Sequence, residues 1–234
     1  MSERVVVVTG AGSGLGRAIS VAFGAAQDTV IAAGRSSPPI DQTAELVDAA
    51  GGRGIAVACD VTDGIQVGRL MARAAELTGT IDIVVCNAGT ATVKPFTELT
   101  LDEWRMTTET TLTGTFLCCQ RAVPSMRRGG LLVALSSIAG RQGFPNWSAY
   151  SAAKAGVLAF TQAIREELRP SGIRVTAVIA GAVDTPLWDT IPGEWNRQAM
   201  LQPDEVARAV VRIAEDPDHL STDELVLGHV VGKL

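Results

Sequence analysis

The chain has 234 residues, of which 47% are hydrophobic, 19% charged and only 4% aromatic, and its formal net charge is -5. This length can bury a sizeable core, and the acidic balance provides no basic surface for nucleic acid or for an anionic membrane. No apolar run approaches the roughly 20 residues of a membrane span, and the four valines after Arg4 are too few for a signal-peptide core. We therefore expect a cytoplasmic protein without nucleic-acid or membrane partners.

Seven short apolar runs predict β-strands, and helix-length stretches alternate with them. The strands are expected at residues 4–10, 29–34, 54–60, 81–89, 130–137, 173–181 and 223–229. The helices are expected at 14–26, 41–50, 63–78, 101–127, 148–169 and 203–215, with Asp63 and Ser148 as N-caps and Pro170-Ser171-Gly172 ending the fifth. Continuously apolar strands indicate a sheet covered on both faces, and strict alternation indicates right-handed βαβ units. The sequence predicts a single α/β domain over 1–234, a three-layer, doubly wound parallel sheet of about seven strands.

The four cysteines, Cys59, Cys86, Cys118 and Cys119, form no CxxC pair and have no histidine close to them in sequence. This usage is typical of free, buried thiols in a reducing compartment, and it predicts no metal site.

The first predicted strand is followed by the glycine-rich stretch TGAGSGLG, residues 9–16. Its spacing is GxxxGxG, through Gly10, Gly14 and Gly16, and differs from the strict GxGxxG fingerprint. Both patterns allow a tight turn, close approach of the backbone to a pyrophosphate and a helix N-terminus directed at negative charge. We expect this turn, including Ser13 and Leu15, to bind a nucleotide, although glycines between strand and helix also occur as plain turn residues.

The ends of the next three strands also carry candidate cofactor contacts, because ligands of such sheets bind beyond the carboxyl ends of the strands. Strand 2 ends at Gly34 without a ribose-binding carboxylate, and Arg35 follows it. An arginine there suits the 2′-phosphate of NADP better than the 2′-hydroxyl of NAD, unless Arg35 is simply a solvated loop residue. Asp60, at the end of strand 3, is expected to meet the adenine ring, and Val61 beside it is a further cofactor contact. After strand 4, Asn87, Ala88 and Gly89 are expected to allow close approach of the protein backbone to the cofactor.

Tyr150 is the only tyrosine of the chain, and Lys154 follows it by one helical turn. Positions i and i+4 share one face of a helix, so the ammonium and the phenol are expected to be close. A nearby cation favours the phenolate and lowers the pKa of a phenol. Ser137 ends the fifth predicted strand, thirteen residues before Tyr150.

The motifs TGAGSGLG, CNAG, SSIAG, YSAAK and AGAVDT, in this order, resemble the single-domain branch of the short-chain dehydrogenase/reductases, and the resemblance extends to about residue 215. It implies a Rossmann-type sheet, a nicotinamide cofactor, catalysis by Ser137, Tyr150 and Lys154, and a homo-oligomer, a tetramer or dimer, formed through the fourth and fifth helices. It further places Gly181, Val183 and Thr185 beside the nicotinamide amide.

The expected reaction interconverts a ketone and a secondary alcohol. Tyr150 would give or take the proton, Lys154 would lower the pKa of the phenol and hold the nicotinamide ribose, and Ser137 would orient the substrate oxygen. The chain departs from the family pattern at Thr111, where the family has an asparagine that helps to hold a relay water, and at Ala180-Gly181 in place of Pro-Gly. Its C-terminal run LVLGHVVGKL also lacks the family's Asp-Gly-Gly.

The expected substrate walls are residues 90–96, 140–147 and 186–201, the last being the substrate loop. They supply Phe144, Trp147, Trp188, Ile191 and Trp195, which favour an apolar, cyclic or aromatic substrate unless these side chains serve packing or subunit contacts. Arg141 and Arg197 leave room for an anionic group, as in a carrier-bound 3-oxoacyl chain. The other alternative is a non-catalytic nucleotide sensor, which would have no need of Tyr150. His219 and His229 are expected to lie away from the site.

Overall fold

A seven-stranded parallel sheet forms the centre of the computed structural model, which describes residues 4–231 of the predicted domain. Its strands are β1 (Val5–Thr9), β2 (Thr29–Gly34), β3 (Arg53–Ala58), β4 (Ile81–Cys86), β5 (Met126–Ser137), β6 (Arg174–Ala180) and β7 (Glu224–Leu227). Their spatial order is β3-β2-β1-β4-β5-β6-β7. The chain therefore winds outward on both sides of the β1–β4 pair, which confirms the predicted doubly wound fold.

Helices cover both faces of this sheet. They are α1 (Gly14–Ala25), α2 (Ser37–Ala49), α3 (Gly64–Thr78), α4 (Leu101–Thr108), α5 (Gly114–Ala122), α6 (Ser148–Leu168) and α7 (Pro203–Ala214). Val6 and Val8 of β1 belong to the core shared with α1, α2 and α7, whereas Val5 and Val7 belong to the core shared with α3, α5 and α6. Successive strand residues face opposite layers, and this is why the strands are apolar at every position.

The helix predicted over 101–127 is wrong as a single element. After α4 the chain forms a π-helical turn, Glu109–Thr113, then α5, a 3-10 turn at Val123–Ser125, and β5 from Met126. Two causes are local: the hydroxyl of Thr115 donates to the Thr111 carbonyl, and Pro124 cannot continue a helix. The π-turn also brings Gly114 against Val61, whose side chain leaves no room for a β-carbon there.

Two predicted helix starts are also corrected, while a third is confirmed. Asp63 caps α3 by accepting hydrogen bonds from the backbone of Ile65 and Gln66, as expected. α2 begins at Ser37, before position 41, because Pro38 and Pro39 lie in its first turn, where no intrahelical N–H bond is lost. Ser148 is the first residue of α6, and Trp147 occupies the cap position. The predicted end of α6 is confirmed, since Gly172 adopts φ 69° after it.

The four cysteines are buried and free, as the sequence indicated. The sulfurs of Cys86 and Cys119 lie 3.8 Å apart, and burial raises the pKa of Cys59 to about 12. Among residues 4–231, no helix is both long and apolar enough to cross a bilayer, and no group of metal-ligating side chains is present.

Candidate active site

A cavity of about 700 Å³ opens at the carboxyl ends of β1, β4, β5, β6 and β7. Most of the residues selected from the sequence line it. They are Gly10, Ser13, Gly14, Leu15, Gly16, Asn87, Ala88, Gly89, Ser137, Tyr150, Lys154, Gly181, Val183 and Thr185. Arg35 and Asp60 instead line a second cavity of about 350 Å³, and Val61 and Thr111 are buried outside both.

The glycine turn delivers the N-terminus of α1 to the main cavity. Gly10 and Gly14 adopt positive φ angles of 65° and 51°, a region that favours glycine. Ser13 occupies the cap position of α1 without a side-chain capping bond, and the first turn of this helix contains no acidic residue. Its backbone N–H groups are therefore available to an anion such as a pyrophosphate.

Asn87 connects the glycine turn to the end of β4. Its side-chain amide donates to the carbonyls of Thr9 at 2.9 Å and Gly10 at 3.1 Å. In return, the Thr9 hydroxyl accepts from the backbone N–H groups of Asn87 and Ala88. The side-chain amide of Asn87 thus holds the turn in place, and Asn87, Ala88 and Gly89 all line the cavity.

Gly16 lies where α1 passes closest to the hydrogen bonds between Asn87 and the glycine turn, which we call the brace. A β-carbon at Gly16 would overlap the Gly10 carbonyl and the Asn87 amide. We expect Gly16→Ala to lower the free energy of unfolding by about 1–3 kcal/mol, because neither neighbour can yield without breaking the brace. Gly68→Ala in α3 is the matched control, since its β-carbon meets open space, and helix propensity predicts a gain of about 0.5–1 kcal/mol. Thermal melts of both variants check this, and equal melting temperatures would refute the steric argument.

Ser137, Tyr150 and Lys154 meet at one wall of the cavity. The Ser137 hydroxyl lies at the end of β5 and accepts from the backbone N–H of Ala139 at 3.1 Å. Lys154 is buried one turn after Tyr150 on α6, with Nζ 5.6 Å from the centre of the phenol ring. Its ammonium donates to the Leu135 carbonyl at 2.6 Å. The lysine is therefore held by the sheet beside the phenol.

Burial shifts both ionisable groups of this wall toward their neutral forms. It raises the pKa of Tyr150, and the interaction with Ser137 offsets only part of this rise. It also lowers the pKa of Lys154 to about 8. The sequence led us to expect a phenol pKa lowered by the lysine, but in the structure the loss of solvation is the largest influence and raises it. A phenol is protonated at neutral pH, and burial strengthens this preference.

Thr111 lies in the π-turn behind Gly89. Its hydroxyl accepts from the Thr90 N–H at 3.5 Å, and it lies 3.3 Å from the position that a β-carbon of Gly89 would occupy. The Thr111 carbonyl accepts from the Thr115 hydroxyl at 2.7 Å. A relay role for Thr111 stays a prediction, with its hydroxyl as the group nearer the cavity.

The second cavity lies beyond the ends of β2 and β3. Arg35 is exposed there, and Asp60 accepts from the backbone and the hydroxyl of Thr62. The other lining residues come from α4 and the π-turn: Asp102, Arg105, Met106, Glu109 and Thr110. Within residues 4–231 the Arg35 guanidinium forms no ion pair, and it directly follows the strand end that carries no carboxylate.

Aromatic side chains form the outer wall of the main cavity. The ring of Trp147 lies 5.4 Å from that of Tyr150 and 5.8 Å from that of Trp188, measured between ring centres. The rings of Trp188 and Trp195 are 4.8 Å apart. The indole N–H of Trp188 donates to the Val183 carbonyl, which holds the substrate loop against the end of β6. Phe144 also lines this wall, whereas Ile191 is buried outside it.

The two arginines considered for an anionic substrate are already engaged. Arg141 pairs with Glu224 of β7, and Arg197 pairs with Asp184 and Asp189. Neither lines the main cavity. The expectation that they would receive an anionic group is therefore not supported by their positions.

The prediction that His229 lies away from the site is wrong. His229 lines the main cavity together with Val226, Leu227 and Gly228, because β7 is parallel to β6 and ends at the same edge of the sheet. The position of a Gly-His pair directly after a predicted strand was the signal that could have identified it. His219 is exposed, as expected, and does not line the cavity.

Comparison with known families and proteins gives consistent matches. A family model described as short chain dehydrogenase matches residues 4–194. A cis-4-hydroxycyclohexanecarboxylate dehydrogenase of Sinomonas cyclohexanicum is 40% identical over 92% of this chain and 90% of its own length. A 3beta-hydroxysteroid dehydrogenase of Mediterraneibacter gnavus is 31% identical over 96% of this chain and 92% of its own length. A 3-oxoacyl-[acyl-carrier-protein] reductase of Synechocystis is 32% identical over 93% of this chain and 91% of its own length.

Among solved structures, an alcohol dehydrogenase from the archaeon Thermococcus sibiricus, complexed with 5-hydroxy-NADP, superposes with a TM-score of 0.91. It is 28% identical, and the alignment covers 100% of this chain and 99% of that one.

Proposed function

Because the chain belongs to the short-chain dehydrogenase family, we propose that it interconverts a secondary alcohol and a ketone on an apolar, cyclic small molecule, with NADP as its cofactor. One observation carries this proposal: Ser137, Tyr150 and Lys154 line the same cavity as the glycine turn. A nucleotide sensor would need the glycine turn alone, whereas proton transfer needs a phenol with a cation and a hydroxyl beside it.

The residues divide the chemistry among them. Tyr150, whose pKa is raised further above neutrality by burial, donates a proton to the developing alkoxide during reduction. Ser137 donates a hydrogen bond to the substrate oxygen and fixes its position. Lys154, held by the Leu135 carbonyl, places a positive charge near the phenol and stabilises the phenolate that remains.

The residues present also fit a nicotinamide dinucleotide. The uncapped N-terminus of α1 suits its pyrophosphate, and a β-carbon at Gly14 would crowd Thr185. Gly181, Val183 and Thr185 would border the nicotinamide, and Asp60 and Val61 the adenine. When bound, the cofactor supplies or accepts the hydride at the carbon that bears the substrate oxygen.

The aromatic wall supports a cyclic substrate, since Trp147, Trp188 and Trp195 offer flat apolar surfaces beside Tyr150. The names of two relatives refer to a hydroxylated cyclohexane and a hydroxysteroid, which agrees with this class. A carrier-bound acyl chain is less well supported, because Arg141 and Arg197 are paired with carboxylates.

The test is an absorbance screen of NADP and NAD, in both redox states, against cyclic and linear alcohols and ketones. We expect the highest kcat/KM for cyclic secondary alcohols or the corresponding ketones. A preference for linear 3-oxoacyl thioesters would favour the carrier-type reductase. Tight cofactor binding without turnover of any substrate would contradict the proposal and favour a nucleotide sensor.

Arg35 decides the expected cofactor preference. Arg35→Ala should weaken NADPH binding by about 10-fold or more and leave NADH binding unchanged, because only NADPH carries a 2′-phosphate that the guanidinium could bind. Arg121→Ala, another exposed arginine on α5, is the matched control. Fluorescence titration of both cofactors measures the effect, and tighter NADH binding by the unmodified protein would overturn the assignment.

We further propose a homo-oligomer, a dimer or tetramer, in the cytoplasm. The apolar side chains of Leu101, Trp104, Met106 and Phe116 are 38–60% exposed on α4 and α5, which together occupy the predicted fourth helix, and this supports a subunit contact there. Light scattering of the purified protein would determine the number of subunits in the oligomer.

A further inference from the structure

His229 is placed in the main cavity by the register of three neighbouring strands. Ser137 of β5 is the partner of Ala180 in β6, and Ala180 is the partner of Leu227 in β7. The N–H of Gly181 donates to the Leu227 carbonyl at 2.8 Å, which fixes the end of β7. His229 follows two residues later, so its backbone lies roughly 12 Å from that of Ser137, two strand spacings across the sheet and two residues along the chain.

The imidazole of His229 has one defined hydrogen bond. Its Nδ1 accepts from the backbone N–H of Val231 at 3.3 Å. A neutral imidazole that accepts at Nδ1 carries its hydrogen at Nε2. Nε2 has no hydrogen-bond partner within residues 4–231, so His229 presents an N–H donor that the protein itself leaves unused.

The cavity contains few other polar anchors at this end. Of the residues that line it within the described chain, Tyr150, Lys154 and His229 are the titratable ones, and no carboxylate is among them. Tyr150 and Lys154 lie at the wall of the proposed chemistry, and Arg141 and Arg197 are paired outside the cavity. An anionic substituent at the far end of a substrate would therefore not be repelled by a carboxylate of the cavity lining, and it could accept a hydrogen bond from His229.

We infer that His229 is a specificity residue that donates a hydrogen bond from Nε2 to a carboxylate on the substrate ring, opposite the carbon that reacts at Ser137 and Tyr150. The inference rests on the proposed function and adds the substrate class, a hydroxycycloalkane carboxylate or its ketone. A six-membered ring with substituents on opposite carbons, and one hydrogen bond at each end, is commensurate with the spacing of roughly 12 Å between the two sites.

The kinetic test compares 4-hydroxycyclohexanecarboxylate with 4-methylcyclohexanol, which has the same ring but no carboxylate. We expect His229→Leu to reduce the ratio of their kcat/KM values by about 10–100-fold, since the bond to a charged group is lost. His229→Gln, which retains an N–H donor, should restore part of the ratio. His219→Leu, at the other histidine of the chain, should leave the ratio unchanged. An equal loss for both substrates, or an unchanged ratio, would overturn the inference.

A binding test separates failure of this inference from failure of the proposed function. Cyclohexanecarboxylate cannot react at a carbinol carbon, and Trp147, Trp188 and Trp195 beside the cavity report its binding by fluorescence. We expect it to bind the cofactor-loaded protein more tightly than cyclohexanol, and to lose about 10-fold or more in affinity in His229→Leu. Carboxylate binding that depends on His229 without turnover would refute the proposed reaction alone, whereas binding that is insensitive to His229 would refute the inference.

Discussion

Tyr150→Phe should lower kcat by about 10³-fold or more while the affinity for the cofactor changes by less than about 3-fold. The variant keeps the ring that packs against Trp147 and removes only the hydroxyl. Positioned proton transfer contributes about 10²–10⁴-fold in enzymes, and Tyr150 is the phenol that shares one wall of the cavity with Ser137 and Lys154. Steady-state kinetics and fluorescence titration of the cofactor measure the two quantities.

Trp147→Phe is the control for this experiment, because it changes the neighbouring ring and leaves the phenol in place. We expect it to affect KM for cyclic substrates more than kcat, since Trp147 contributes to the aromatic wall. Full activity of Tyr150→Phe would show that another group donates the proton, and a loss of cofactor binding would show that the phenol acts in binding.

Lys154→Met should abolish most activity and at the same time stabilise the cofactor-free protein. Burial lowers the pKa of Lys154 from its ordinary 10.5 to about 8, a difference that corresponds to about 3 kcal/mol at neutral pH. Methionine has a similar length and no charge, and it forfeits the bond to Leu135, about 1 kcal/mol. We expect a net gain of about 2 kcal/mol at pH 7, and a fall in kcat of at least about 100-fold.

The pH dependence of stability gives an independent check. The unfolded chain binds the lysine proton up to about pH 10.5, whereas the folded chain releases it near pH 8. The contribution of this group to stability therefore rises between these values, and the penalty is fully present below pH 8. Denaturant titrations of the cofactor-free protein should show this rise, and Lys154→Met should lack it.

Lys94→Met is the matched control, because Lys94 is half-buried in an ion pair with Glu103 and is not enclosed by the core. A Lys154→Met protein less stable than the unmodified one at pH 7 would show that the bond to Leu135 outweighs the cost of burying the ammonium.

The sequence predicted the parts of the site that depend on single strand ends. Gly10, Gly14 and Gly16 follow β1, and Ser137 ends β5, so parallel topology alone brings them to one edge. Tyr150 and Lys154 were recognisable because the helical repeat fixes their common face. These inferences needed only local pattern and chain order.

The remaining parts depend on contacts between residues far apart in the chain. Arg141 forms an ion pair with Glu224, 83 residues away in the chain, and no pattern in the sequence indicates that pairing. The π-turn that divides α4 from α5 depends partly on the approach of Gly114 to Val61. The pKa of Tyr150 is set by a balance between lost solvation and nearby groups, and that balance needs the three-dimensional arrangement.

The four-residue pairing of β7 with β6, from Ala177 with Glu224 to Ala180 with Leu227, sets which side chains reach the cavity from this edge. A slip of one residue would exchange the two faces of the strand and turn His229 away, while Ser137, Tyr150 and Lys154 would keep their places on other elements. Under the proposed roles, reactivity and selectivity are therefore encoded in separate segments. An insertion or deletion just before β7 could redirect substrate choice during evolution without altering the proton-transfer groups.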